Sequence, residues 1–223
     1  MKPLIVLLLT FFSTLAFAES STCYGETKNG HLENGVELPR KGNNFVTYSN
    51  VARLAGRTYV HSTVRDIIVA SYKDLEKDQP NKVYKYAETG FKEGGPFKPH
   101  KTHQNGLSVD FMTPVTNSKG KSVHLPTNPL NKFGYNIEFD ENDKFKDYSI
   151  DYEAIAAHVV QLHKQSLAHG VEIWRVIFDP KLTPNLYKTK YSEYLKSNIQ
   201  FSKKRSWVRH DEHYHVDFAI PCQ

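Results

Sequence analysis

Three histidines, His210, His213 and His215, fall within the last 14 residues of the 223-residue chain, and His213-Tyr-His-Val-Asp-Phe-Ala-Ile220 alternates polar and apolar. In a strand, side chains two positions apart share a face. His213, His215 and Asp217 therefore point one way, and Tyr214, Val216, Phe218 and Ile220 point toward a core. Two imidazoles side by side on a rigid strand are the beginning of a metal site. A matching piece lies upstream, His103-Gln-Asn-Gly-Leu-Ser-Val-Asp110, where Leu107, Val109 and Phe111 alternate with Ser108, Asp110 and Met112. Catalytic zinc takes three protein ligands and keeps one position open for water. His103, Asp110 and His215 supply two imidazole nitrogens and a carboxylate. That set leaves the ion about one positive charge, enough to acidify a water in the open position. His213 stands roughly 7 Å from His215 along the strand by strand rise. It is too far to ligate from a neighbouring position, but placed to act on that water or on a developing oxyanion, work suited to a group titrating near neutrality.

Taken singly, a strand histidine or aspartate is more often structural, and His61, His124, His158, His163 and His169 read as structural or surface residues. The weight lies in the combination of two short windows, each with a strand pattern around it. The His-x-His-x-Asp form of 213–217 also occurs in the metallo-β-lactamase fold, but that pattern continues with a histidine where Phe218 stands.

The elements that must position these residues follow from periodicity and punctuation. Residues 19–47 read as irregular, broken by Gly25, Asn29-Gly30 and Asn34-Gly35. A helix is expected from a cap at Ser62 or Thr63 to before Pro80, burying Val64, Ile67, Ile68, Tyr72 and Leu75 on one face. Strands are expected at 83–87, 106–112, 171–178 and 213–220. A second helix is expected from Asp151 to His169, stopped by Gly170, and a weaker helical pattern covers 184–196. Residues 113–148, rich in Pro, Asn, Gly and Lys, read as loop with short strands. Helices and strands do not alternate regularly, so the expected class is α+β: a small central antiparallel sheet carrying a zinc site, flanked by helices and long loops.

Residues 1–18 carry a secretory signature: Lys2, an apolar run from Leu4 to Phe17, and Ala16-Phe-Ala18 as small residues before a cleavage point. Residues 19–223 are then one domain, with no membrane insertion once the leader is removed. The formal charge is +5, and losing Lys2 makes it +4, a modest basic excess that suits an anionic polymer. Lys203-Lys204-Arg205 and Arg209 could touch nucleic acid, but no nucleic-acid motif accompanies them, and a solvated face is expected. The two cysteines, Cys23 and Cys222, are expected to pair in an oxidising compartment.

The two histidine motifs, in their fuller forms Gly94-Gly-Pro-Phe-Lys-Pro-His100-Lys-Thr-His103-Gln-Asn-Gly-Leu-Ser-Val-Asp110 and His210-Asp-Glu-His213-Tyr-His215-Val with Pro221-Cys222, resemble the penicillin-insensitive murein endopeptidases. These belong to a wider group with lysostaphin-type peptidases, D-alanyl-D-alanine carboxypeptidases and the hedgehog signalling domain. The resemblance covers most of the chain after residue 18. It implies zinc on His103, Asp110 and His215, a catalytic His213, and further active-site roles for His100 and His210. One departure is Ala87-Glu88, where a Gly-Asp pair is usual. The implied function is a periplasmic zinc metallopeptidase, in a Gram-negative bacterium, cutting peptide cross-links in peptidoglycan. The alternatives are a carboxypeptidase trimming stem peptides and a non-catalytic zinc or wall-binding module.

Overall fold

Each histidine motif runs into a strand, and those two strands lie side by side. The computed structural model describes residues 19–223, so the expected leader at 1–18 falls outside the described residues. In chain order the strands are β1 (Thr22–Glu26), β2 (Asn29–Glu33), β3 (Val36–Glu37), β4 (Phe45–Thr47), β5 (Tyr59–Val60), β6 (Tyr84–Tyr86), β7 (Ser108–Met112), β8 (Val115–Thr116), β9 (Ser122–Val123), β10 (Lys144–Phe145), β11 (Tyr148–Ile150), β12 (Glu172–Ile177) and β13 (His213–Ala219). The helices are α1 (Asn50–Leu54), α2 (Ser62–Asp78), α3 (Tyr152–Ala168), α4 (Thr183–Leu186) and α5 (Ser192–Asn198). The result is a mixed α+β arrangement with several small sheets. The largest has five strands in the order β12-β13-β7-β6-β4.

That sheet is not wholly antiparallel, as the sequence reading had it. β12, β13, β7 and β6 run antiparallel in succession, but β4 joins the edge parallel to β6. The connection from β4 to β6 contains α1, β5 and α2, a crossover long enough to bring the chain back in the same direction.

The sheet has an apolar face and a chemical face. Tyr214, Val216 and Phe218 of β13 and Val109 and Phe111 of β7 are all buried. Aromatic stacking links this face to the helices: Tyr214 lies on Phe111 (5.5 Å), His158 of α3 meets Phe111 edge-on (4.7 Å), and Tyr72 of α2 stacks on His158 (4.8 Å). Burying each such side chain stabilises the domain by about 1.5–3 kcal/mol. The opposite face of β7, read from its alternation as polar, is enclosed as well: Ser108, Asp110 and Met112 are 0–2 % exposed. Charge is therefore held here by partners rather than by solvent.

Three local readings change. The segment at 19–47 is not irregular, since β1 and β2 form a hairpin. Asn29-Gly30 lies inside β2, where Gly30 is required because a Cβ would sit 2.3 Å from the Tyr24 carbonyl oxygen. The cap of α2 is His61, whose side chain accepts from the Thr63 amide, so Ser62 and Thr63 already belong to the helix. The stretch 184–196 is interrupted: α4 ends at Leu186 and α5 starts at Ser192. α3 matches its expected span but is buried on most of its circumference, because α2, β12, α4 and α5 all pack on it. Cys23 and Cys222 form a disulfide, tying β1 to the segment that leaves β13. Among the described residues no helix is long and apolar enough to cross a membrane.

Candidate functional site

Strand register builds the centre of the site. β13 pairs with β7 so that His215 lies directly opposite Asp110, with His213 opposite Met112 and Asp217 opposite Ser108. Directly opposed side chains sit within reach of one another, and His215 Nδ1 is 2.8 Å from Asp110 Oδ1. His103 arrives from the loop before β7 in a left-handed conformation (φ 71°). Gly106 (φ 77°) turns the chain between the two, at a point where a Cβ would lie 2.7 Å from the His61 amide nitrogen. His103 Nε2 thereby reaches 3.4 Å from the same oxygen, Asp110 Oδ1.

The second oxygen of Asp110 faces different company. Tyr135 donates its hydroxyl to Oδ2 (2.9 Å), and His213 Nε2 and His100 Nδ1 lie 3.7 Å and 3.8 Å from it. One carboxylate thus divides the cluster, with His103 and His215 on Oδ1, and His213, His100 and Tyr135 on Oδ2. His210, also left-handed (φ 58°), completes the group with its ring 4.5 Å from that of His213. All six of the expected site residues come together.

Each ring has a partner on at least one nitrogen. His103 Nδ1 donates to the Thr89 carbonyl (3.0 Å), which leaves Nε2 with a lone pair. That Nε2 is fully enclosed and has no hydrogen-bond partner. A buried nitrogen left in this state costs stability, and burial also lowers the pKa of the ring, keeping it neutral. Asp217 accepts from His215 Nε2 (2.8 Å), turning Nδ1 toward Asp110. Asp217 is itself held by the Ser108 hydroxyl (2.6 Å) and by Arg175 Nε (2.8 Å). Burial alone would lower the pKa of His215, but Asp217 and Asp110 overcome it and push it up to about 10. Burial would raise Asp110, yet the surrounding imidazoles hold it well below the usual carboxylate range.

On the Oδ2 side, His213 Nδ1 is 2.8 Å from Glu212 Oε1. Burial pushes His213 down to about 4 and Glu212 up to about 8. Near neutrality both groups are uncharged, and with Glu212 Oε1 accepting from His213 Nδ1–H the ring keeps its lone pair on Nε2. His210 Nδ1 donates to the Val208 carbonyl (3.0 Å), and burial together with the neighbouring His213 pushes its pKa down to about 3. His100 Nε2 lies 2.6 Å from Glu88 Oε2. Glu88 is also bound by Arg57 and by the Tyr48 hydroxyl (2.8 Å), and His100 and Arg57 overcome its burial to hold it near about 2.

Two imidazole nitrogens and a carboxylate oxygen, with a partnerless buried nitrogen among them, fit a zinc ion in donor type and number. Among the described residues the donor atoms that all lie within 4.8 Å of one another are those of His100, His103 and Asp110, a group that does not include His215. His215 shares Asp110 Oδ1 with His103, whereas His100 is drawn toward Glu88.

The site opens into a cleft of about 540 Å³ lined by Glu88, His100, Lys132, Tyr135, Trp207, His210 and His213 among others. A larger hollow of about 640 Å³ beside α4 and α5 is lined by no histidine or acid. Glu88, Thr89, Tyr135 and Glu212 were assigned no role from sequence. For Glu212 a signal existed, since it adjoins His213, and Asp217 was legible as the third residue on the face of β13. The remaining histidines stand apart; His158 is in the core and His163 Nδ1 meets the Tyr194 hydroxyl (2.9 Å).

A search of curated proteins finds no match to this chain. A comparison with protein families matches residues 23–223, which span every element from β1 to β13. Across those residues the chain belongs to the penicillin-insensitive murein endopeptidase family.

Proposed function

We propose that the chain is a zinc-dependent endopeptidase of the periplasm that hydrolyses the peptide cross-links of peptidoglycan. The observation that carries this is the sharing of Asp110: His103 and His215 meet one of its oxygens, and His213 approaches the other. His103 Nε2, Asp110 Oδ1 and His215 Nδ1 would hold the ion. Bound there, zinc would supply Lewis-acid chemistry, polarising the scissile carbonyl and easing ionisation of the attacking water.

The chain's own groups do the rest. His213 Nε2, neutral and facing the cleft, takes the proton of the attacking water. Glu212 stays on Nδ1 and keeps the ring oriented while it is charged. The imidazolium then stabilises the oxyanion and delivers that proton to the nitrogen of the leaving amine, giving a carboxylate and an amine. His210 and His100 flank His213 and confine the reacting groups. Among the described residues no serine or cysteine lines the cleft, so the route does not depend on the acylated nucleophile that penicillin traps.

Purified sacculi digested with the protein, with and without a chelator, and resolved by mass test this directly. Loss of cross-linked dimers that stops with chelator and returns with zinc is the expected result. Shortened monomers with dimers intact would instead identify a carboxypeptidase. No cleavage by zinc-loaded protein would identify a binding module.

A further inference from the structure

The loop over the cleft holds one charge that the chemistry above does not use. Of the residues lining the cleft, Lys132 is the only lysine or arginine. Each acid lining it already has a partner: Glu88 has Arg57 and His100, Glu212 has His213, and Glu138 has Arg209 at 3.3 Å. Lys132 is exposed and, among the described residues, has no carboxylate within ion-pairing distance.

The backbone that presents it is strained. Lys132 (φ 50°, ψ 44°) and Phe133 (φ 57°, ψ 34°) are consecutive non-glycine residues in the left-handed region, an arrangement that persists only where the surroundings impose it. Here they do. Asn131 Oδ1 accepts from the amides of Asn128 and Gly134, and its Nδ2 donates to the Pro126 carbonyl. The Phe133 amide donates to the Asn128 carbonyl (2.7 Å), and its ring meets Tyr48 edge-on. The Lys132 carbonyl accepts from the amide of Tyr135, whose hydroxyl touches Asp110. Lys132 is thus carried by a loop wired to the reaction centre and lines a cleft whose acids are already paired.

We propose that Lys132 is an anion subsite that binds a free carboxylate of the stem peptide beside the scissile amide, and so selects cross-links bearing the acid over those bearing the amide. This rests on the function proposed above. An ammonium is a compact charge with three donors on a flexible stem, so it can meet a carboxylate at the rim without a fixed bidentate geometry.

The test uses zinc-loaded wild type and the variants Lys132→Met and Lys132→Arg. Substrates are a cross-linked muropeptide dimer with free carboxylates and its amidated counterpart, and binding is measured with the corresponding uncross-linked stem peptides. For wild type, amidation should raise KM and Kd roughly fivefold, the scale of a partly exposed charge pair, with kcat within about twofold. Lys132→Met should show the same loss on the acid form and no further loss on the amide, and Lys132→Arg should recover most of it. Equal weakening of both forms by Lys132→Met, or no effect on the acid form, would overturn the proposal. Cleavage without any acid preference removes the subsite and leaves the endopeptidase reading standing. Acid-selective binding lost in Lys132→Met, but without cleavage, does the reverse. Neither binding nor cleavage removes both.

Discussion

Replacing His213 with alanine should lower turnover of a cross-linked muropeptide by roughly 10²–10⁴-fold, the contribution of a positioned proton-transfer group, with the bound zinc unchanged. The two halves of this expectation come from different atoms. In the proposed site the zinc rests on His103 and His215, which meet Asp110 Oδ1, and neither contact involves His213. The proposed proton transfer rests on His213 Nε2, which lies on the Oδ2 side. The variant should fold. The group it leaves behind, Glu212, has its pKa pushed up to about 8 by burial and so sits protonated, not as a stranded charge, at neutral pH. KM should move little, because ground-state binding falls to the cleft walls. Metal analysis alongside steady-state kinetics decides the matter: zinc lost together with activity would mean that His213 is a ligand.

Removing the disulfide should be the largest single change to stability. Cys23 and Cys222 are separated by 199 residues, so the bond closes nearly the whole described chain. For a loop on the order of 200 residues, chain entropy alone gives about 5 kcal/mol, a large part of a typical domain's total stability. Local contacts offset some of this, since the Gly25 amide donates to Gln223 and the Gln223 amide to Cys23. Guanidinium unfolding of wild type and of the Cys23→Ser/Cys222→Ser variant should show a lower midpoint. A loss under about 1 kcal/mol would show that this backbone pairing, rather than the cross-link, secures the end of β13. Zinc affinity in the folded state should survive, because the disulfide lies at the far end of β13 from His213 and His215.

The alternation in 213–220 and 106–112 was enough to find both strands and to place His213, His215 and Asp217 on one face. Alternation is local, and it reports what a strand offers each side. It does not report register, which decides that His215 rather than His213 stands opposite Asp110. Nor does it distinguish a solvated polar face from an enclosed one, and Asp110 proved to be among the most deeply buried residues. Tyr135 escaped notice, and Glu88 entered only as a departure from the family's pair, for a related reason. Each comes from a segment with no histidine, and each reaches the site only through long-range pairing, Glu88 after β6 and Tyr135 from the 129–136 loop. The parallel edge strand β4 and the buried circumference of α3 likewise depend on what packs against them. The hairpin β1–β2 was obscured by a glycine whose role is close backbone approach and not a turn.

Asp110 is proposed to separate a metal side from a catalytic side. Anomalous diffraction at the zinc edge from crystals of the zinc-loaded protein measures this most directly. A single peak within bonding distance of His103 Nε2, Asp110 and His215 Nδ1, with His213 beyond it, is the expected result. A peak bonded to His100 or His213 in place of His215 would contradict it.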